Sequence, residues 1–84
     1  MSEFEEGEEI VRLTQRLNQI IDTAIEENYF GQAELEEIQV QMVGLIEQGN
    51  FWLKQENRPR FIYDLRNFLT WLIKYVEIKE NEGR

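Results

Sequence analysis

Apolar residues recur every three or four positions along most of this chain, and that spacing limits its possible folds more than any other feature. At about 100° per residue, the spacing places apolar side chains on one face of an α-helix. Three segments show it. The first contains Ile10, Leu13, Leu17, Ile20 and Ala24, the second Leu35, Ile38, Met42, Leu45 and Ile46, and the third Ile62, Leu65, Leu69, Leu72 and Val76. The sequence therefore predicts an all-α protein with three amphipathic helices, the first of them one-sided.

Residues with helix-capping chemistry predict where the first two helices begin. Ser2 is followed three residues later by glutamate, which matches a capping box and predicts a first helix over about residues 3–28. Gly31, also followed three residues later by glutamate, fits the N-terminus of a second helix that begins near residue 32.

The second helix contains Gly49, followed by asparagine, a pair that could end it. A stop there would leave a connection of about nine residues, which is long for a link between bundle helices. Trp52 and Leu53 keep the helical phase of the apolar stripe beyond this point, whereas Phe51 falls on the opposite side. We predict one helix that continues to about residue 55 and turns Phe51 away from the core. A break at Gly49 is the alternative.

The chain's one proline, Pro59, marks the last boundary, because proline suits the first turn of a helix. It predicts a third helix over about residues 59–79, followed by a polar tail that should fray. Apolar residues cover about 220° of this helix, against a little over 100° for an ordinary surface helix. Such a wide arc indicates contact with more than one neighbouring surface, either within the chain's own core or at an interface.

Short connections make sequential helices antiparallel neighbours, so the chain should form a small antiparallel three-helix bundle. Its 84 residues are predicted to form one domain, 1–84, close to the lower size limit for an unaided core. Cysteine and histidine are absent, so neither a disulfide nor a zinc site can add stability. A second copy could supply the missing buried area, and we expect a homodimer.

Charge is distributed unevenly along the sequence. The net charge is −8, with 12 acids and 2 bases in residues 1–47 but 5 acids and 7 bases in residues 48–84. The two halves could complement each other within the bundle, or the acidic half could attract basic partners. Direct nucleic-acid binding is not expected, because it requires a clustered cationic surface.

The residue inventory predicts that the protein is not an enzyme. Without histidine or cysteine there is no imidazole base and no thiolate, and the one serine, Ser2, is the expected helix cap. The glycines are too far apart for a phosphate-binding loop, and no histidine completes a di-metal centre with the glutamates. We predict no catalytic residue, cofactor, metal or small-molecule substrate. A carboxylate-only enzyme or metal protein is the least favoured alternative.

Localisation is predicted from the absence of two signals. The N-terminus is acidic, unlike a secretory signal, and the densest apolar run, Phe68 to Ile73, is far shorter than the roughly 18 residues needed to span a bilayer. The sequence therefore predicts a cytoplasmic protein without a membrane partner.

Aromatic and basic residues concentrate in the second half of the chain, and tryptophan, tyrosine and arginine are enriched at interface hot spots. The predicted partner-contact residues are Phe51, Trp52, Arg58, Arg60, Phe68, Trp71, Tyr75 and Ile78. They indicate a protein–protein interaction module that uses its third helix and the Phe51/Trp52 corner for self-association or partner binding.

The alternative function depends on the acidic half instead. A small acidic inhibitor, antitoxin or immunity-type protein would use carboxylates such as Glu34, Glu36 and Glu37 to block a basic site on a target protein. Binding of that kind should weaken steeply with salt, whereas binding through an aromatic surface should not.

Overall fold

The computed structural model describes residues 2–82, and this part of the chain forms three α-helices. They are α1 (Glu3–Glu26), α2 (Gln32–Lys54) and α3 (Arg58–Glu82). No strand occurs among the described residues, which confirms the all-α prediction. The predicted helix ends are correct to within three residues.

α1 begins as the sequence predicts and ends two residues earlier. The Ser2 hydroxyl oxygen accepts a hydrogen bond from the Glu5 backbone N–H at 3.2 Å, which caps the helix. At the other end, Asn28 has a left-handed φ of 57°, and the Tyr29 N–H donates to the Ala24 carbonyl at 3.0 Å. Asparagine tolerates this conformation better than most residues, so the helix closes before residue 28.

α2 is continuous through Gly49 to Lys54, so the alternative of a break at Gly49 is wrong. Its N-terminus is capped as predicted, with a Glu34 carboxylate oxygen accepting from the Gly31 N–H at 2.8 Å. Gly49 is buried, and a Cβ atom placed on it would lie 2.5 Å from Cε1 of Phe61. Glycine is needed there because α2 approaches α3 closely, not because the helix ends.

α3 is longer than predicted at both ends. Asn57, which the sequence analysis did not identify as a cap, accepts a hydrogen bond from the Arg60 N–H at 3.3 Å, so the helix starts one residue before Pro59. Near the other end, Lys79 forms ion pairs with a glutamate of α2 and with Glu82. The prediction of fraying is therefore wrong as far as Glu82, and the last two residues lie outside the described part of the chain.

α3 lies between the other two helices. It packs against both, whereas no Cα atom of α1 lies within 8 Å of one in α2. Residues early in α3 contact the start of α1, where Arg66 is 3.1 Å from Glu9, and the end of α2, where Trp52 is 3.0 Å from Asp64. α1 and α3 therefore run in one direction and α2 in the other, which confirms the up-down-up helical bundle.

The core follows from this central position of α3. Within residues 2–82, eight apolar side chains are buried: Leu13, Leu17, Ala24, Phe30, Ile38, Ile62, Leu65 and Leu72. A second layer is partly buried against them and includes Phe61, Phe68, Leu69, Trp71, Tyr75 and Val76 of α3. Most of the wide apolar arc of α3 is therefore used inside the chain, because the helix contacts two neighbours.

The outer helices carry apolar residues that the bundle does not cover. In α2, Ile46 and Leu53 continue the predicted core stripe but are exposed, because α1 packs against α3 and does not reach them. In α1, Phe4, Val11 and Ile25 are exposed, so this helix is not the one-sided helix that the sequence predicts.

Candidate protein-interaction surface

The Phe51/Trp52 corner, where α2 ends and α3 begins, is held in place by contacts with α3. The Trp52 indole Nε1–H donates to a carboxylate oxygen of Asp64 at 3.0 Å. The Arg60 guanidinium lies over the indole, with its Cζ 5.4 Å from the ring centroid, and its Nε is 3.6 Å from Asp64. Contacts within the chain therefore hold the indole in one orientation.

Two exposed aromatic rings flank this fixed indole. Phe51 packs edge-on against Trp52 with ring centroids 4.9 Å apart, yet it remains 52% exposed, as its helical phase predicts. Tyr63 lies beneath the Arg60 guanidinium at 5.2 Å and is also exposed. Tyr63 is not among the predicted contact residues, although its position three residues after Arg60 places the two on neighbouring turns of one helix face.

A row of aromatic rings extends from the corner region along α3. The ring centroids are 5.5 Å apart for Phe68 and Trp71, 5.2 Å for Trp71 and Tyr75, and 5.2 Å for Tyr75 and Phe30. Tilted pairs at such distances contribute roughly 0.5–1.5 kcal/mol each beyond area burial. Through Phe30 and Tyr75 the row joins α3 to the turn that precedes α2, and it leaves the partly exposed rings of Phe68 and Trp71 at the surface.

A groove of about 520 Å³ lies between α2 and α3 alongside these rings. Its lining comprises Glu37, Val40, Gln41, Gly44, Leu45 and Gln48 from α2, and Asp64, Asn67, Phe68 and Trp71 from α3. Nothing lies within 4 Å of a Cβ placed on Gly44, so the α2 wall is low at that point. Gln48 also lines the depression beside Phe51 and Trp52, so the groove and the corner form one continuous surface.

Two further apolar residues of α2 were not among the predicted contact residues: Val40 lines the groove, and Val43 shares an adjoining depression with Val40. Val40 is 69% exposed, and Val43 is exposed one turn further along α2. With Ile46 they form a second apolar line beside the core stripe, and this spacing is the signal that could have identified them. We call the surface formed by the corner, the groove, these valines and the exposed side of α3 the α2–α3 face.

The structure separates one predicted contact residue from the others. Arg58 lies on the α1 side, with a guanidinium nitrogen 3.7 Å from a carboxylate oxygen of Glu3. Ile78 is exposed and follows Trp71 by two helical turns, so it belongs to the α2–α3 face. On the other side of α3, Arg58 and Arg66 pair with glutamates at the acidic start of α1. These ion pairs are expected if the two halves of the chain complement each other in charge.

Tyr75 takes part in a polar cluster where α2 begins. Its hydroxyl donates to a carboxylate oxygen of Glu34 at 3.3 Å, and Lys79 forms an ion pair with the same carboxylate. Hydrogen bonds from Lys79 and from the Gly31 backbone hold the pKa of Glu34 below its ordinary value, and the bond to Glu34 raises the pKa of Lys79. Desolvation raises the pKa of Tyr75. Glu34 is therefore engaged within the chain, whereas Glu36 and Glu37 are exposed.

The described residues contain no group of three or more acidic side chains placed to hold a metal ion. Within the same residues, no helix combines the length and apolar character that crossing a membrane requires. Comparisons of the chain with protein-family models, with curated proteins and with solved structures gave no match.

Proposed function

We propose that the chain is a non-enzymatic protein–protein interaction module whose contact surface is the α2–α3 face. One observation carries the proposal: Val40 lines the groove, Phe51 lines the depression that continues it, and Val43 and Tyr63 are exposed close by, all near an indole that Asp64 and Arg60 hold in place. Large aromatic residues held rigidly and surrounded by polar side chains are typical of interface hot spots.

We propose further that the partner on this face is a second copy of the chain. The face carries charges of both signs, with Glu36, Glu37, Glu47 and Asp64 beside Lys54, Arg60 and Lys74, so two copies can approach without strong repulsion. The molecule measures 44 by 21 Å across its broad side. That is sufficient for the roughly 800 Å² per partner buried in a standard interface.

A two-fold axis near Gly44 gives this homodimer a favourable register. Because the axis reverses the direction of each helix, the corner of one copy meets the opposite end of the face on the other. Lys54 and Arg60 would then lie opposite Glu36 and Glu37 of the second copy. The low wall at Gly44 would allow the two α2 helices to approach most closely at the centre.

Sedimentation velocity over a range of about 1 to 200 µM tests the proposal. We expect a shift from the 10.2 kDa monomer to a species of twice that mass. Val40→Asp/Val43→Asp should abolish the shift, because it places charge in the apolar part of the interface while leaving the core intact. Val11→Asp, an exposed valine on α1, is the matched control and should dimerise normally.

A monomer throughout the range, or a dimer that survives Val40→Asp/Val43→Asp, would contradict the homodimer. The acidic-inhibitor alternative makes a different prediction, since it relies on Glu36 and Glu37 and on a basic target. Raising the salt concentration to about 0.5 M should leave the homodimer largely intact, because its contact is mainly apolar, whereas an inhibitor complex should dissociate.

A further inference from the structure

We infer that the outer side of α1 is a second docking surface, for an amphipathic helix of another protein that carries lysine or arginine beside its apolar stripe. The surface consists of Phe4, Val11, Asn18 and Ile25, which we call the outer α1 stripe. These residues are seven positions apart and follow one line along the helix. The inference goes beyond the proposed function, because it concerns a different helix and a different occupant.

The outer α1 stripe lies opposite the residues that attach α1 to the bundle. Leu13 and Leu17 are buried in the core, and at 100° per residue they point about 180–220° away from Phe4. Phe4 is 74% exposed and Val11 is 55% exposed. A helix that packs against one neighbour needs a single apolar stripe, so the fold of the chain does not explain this second one.

The spacing of the stripe suits a partner helix rather than a loop or a flat surface. A strict seven-residue repeat drifts by about 20° per heptad around a straight helix, so a second helix can follow it by crossing at about +20°. Gly7 lies between Phe4 and Val11, and a Cβ atom placed on it would meet nothing within 4 Å. The resulting depression can receive one apolar side chain of the partner, and Asn18 can fix the register by a polar contact.

The charge beside the stripe identifies the kind of helix that fits. Glu8, Asp22 and Glu26 lie along one flank of the stripe, and Glu3–Glu26 as a whole contains seven acids and two bases. If α1 of a second copy occupied the stripe, these carboxylates would face like charges, which is unfavourable. Lysine or arginine at the facing positions would pair with them instead, as flanking charges do in coiled coils.

The test uses a synthetic four-heptad peptide with leucine at both core positions and lysine at the flanking positions, labelled with fluorescein. Its binding to the full chain is measured by fluorescence anisotropy. Two matched peptides serve as controls: one has the same composition in scrambled order, and the other has glutamate in place of lysine. We expect the lysine peptide to bind at least about tenfold more tightly than either control, because only it combines the apolar stripe with complementary charge.

Variants of the chain then locate the binding site. Phe4→Asp/Val11→Asp should weaken binding of the lysine peptide at least about tenfold, and Gly7→Leu, which fills the depression, should also weaken it. Val43→Asp on α2 should leave peptide binding unchanged. Circular dichroism of each variant checks that the helices remain folded.

Several results would overturn the inference. They are absence of detectable binding by the lysine peptide, equal binding by the scrambled peptide, and binding that is unaffected by Phe4→Asp/Val11→Asp. A fourth is loss of self-association in Phe4→Asp/Val11→Asp, which would mean that a second copy occupies the stripe. Failure of dimerisation in Val40→Asp/Val43→Asp bears only on the α2–α3 face, so the two proposals fail separately.

Discussion

The two sides of α3 are packed very differently. Toward α1, the contact is aliphatic and closed, with Leu13, Leu17 and Ala24 all buried. Toward α2, Ile38 is the one described α2 side chain that is buried, and the rest of the contact consists of the partly buried Leu35, Met42 and Leu45, the close approach at Gly49 and partly exposed aromatic rings.

This difference indicates a division of roles within a small chain. Buried aliphatic side chains contribute most of the stability per residue, so the contact between α1 and α3 should hold the fold together. Partly exposed aromatic rings beside a groove have apolar area left to bury, so the contact between α2 and α3 can be completed by another molecule.

The largest effect should come from truncating one leucine on each side of α3. Leu17→Ala should lower the free energy of unfolding by about 3 kcal/mol, because Leu17 is 3% exposed and leaves a cavity. Leu45→Ala makes the same chemical change in α2, where the side chain is only partly buried, and should cost about half as much. Urea unfolding of both variants at a concentration where the chain is monomeric measures the difference. Equal losses would mean that the two contacts do not differ as proposed.

Two glycines of α2 should respond to alanine with opposite signs. Gly49→Ala should destabilise the fold by about 1–3 kcal/mol, because the added methyl group would collide with the Phe61 ring. Gly44→Ala should stabilise it by about 0.5–1 kcal/mol, because alanine favours the helix and the space around Gly44 is open. Thermal and urea unfolding at a concentration where the chain is monomeric give both values, so that the close approach proposed at Gly44 in the homodimer does not contribute. A neutral Gly49→Ala would show that α2 does not approach α3 as closely as described.

The two turns between helices should also differ. Each closes with a residue of positive φ, Asn28 at 57° and Glu56 at 56°, but glutamate lacks asparagine's tolerance for this conformation. Glu56→Gly should therefore stabilise the chain by about 1 kcal/mol, and Asn28→Gly by only a few tenths. Differential scanning calorimetry can resolve the two gains, and a larger gain for Asn28→Gly would contradict this explanation.

The smallest effect concerns pH and the polar cluster at Glu34. Because the pKa of Glu34 is lowered in the folded chain, its contribution to stability is present above its ordinary value of 4.5 and disappears as the pH falls through the lowered value. Because the pKa of Lys79 is raised in the folded chain, its contribution to stability is present below its ordinary value of 10.5. That contribution disappears as the pH rises through the raised value. Glu34→Gln should therefore lower Tm at pH 7, and the difference from the unchanged chain should shrink progressively as the pH falls below 4.5.

Glu36→Gln, which neutralises an exposed glutamate of the same helix, is the control for the change in charge. It should lower Tm less than Glu34→Gln does at pH 7, because Glu36 lies outside the cluster with Tyr75 and Lys79. Equal Tm changes in the two variants would show that the cluster adds nothing specific.

Local sequence signals predicted most of the fold. Capping residues defined the starts of α1 and α2, and the phase of Trp52 and Phe51 predicted that α2 continues past Gly49. The length of α3 was not predictable in this way. Its last turns depend on Lys79 meeting Glu34, which is 45 positions away in the sequence, and no local pattern contains that contact.

The candidate surface was predicted less completely, for a related reason. Helical phase shows which residues share a face, but it does not show whether another helix covers that face. The sequence therefore predicted Ile46 and Leu53 as core residues, but both are exposed. It grouped Arg58 with the Phe51/Trp52 corner, but Arg58 pairs with Glu3. Which apolar residues remain exposed is decided by how the two outer helices pack against α3.

The most direct test of the central proposal uses the chain's two tryptophans, Trp52 and Trp71, since both lie on the α2–α3 face. In ¹H–¹⁵N NMR spectra, each indole N–H gives a separate signal that can be followed as the protein is diluted. We predict that both signals shift with concentration, together with the backbone signals of Val40 and Val43, while those of Phe4 and Val11 stay constant. Indole signals that do not change, or shifts confined to α1, would contradict the assignment of self-association to this face.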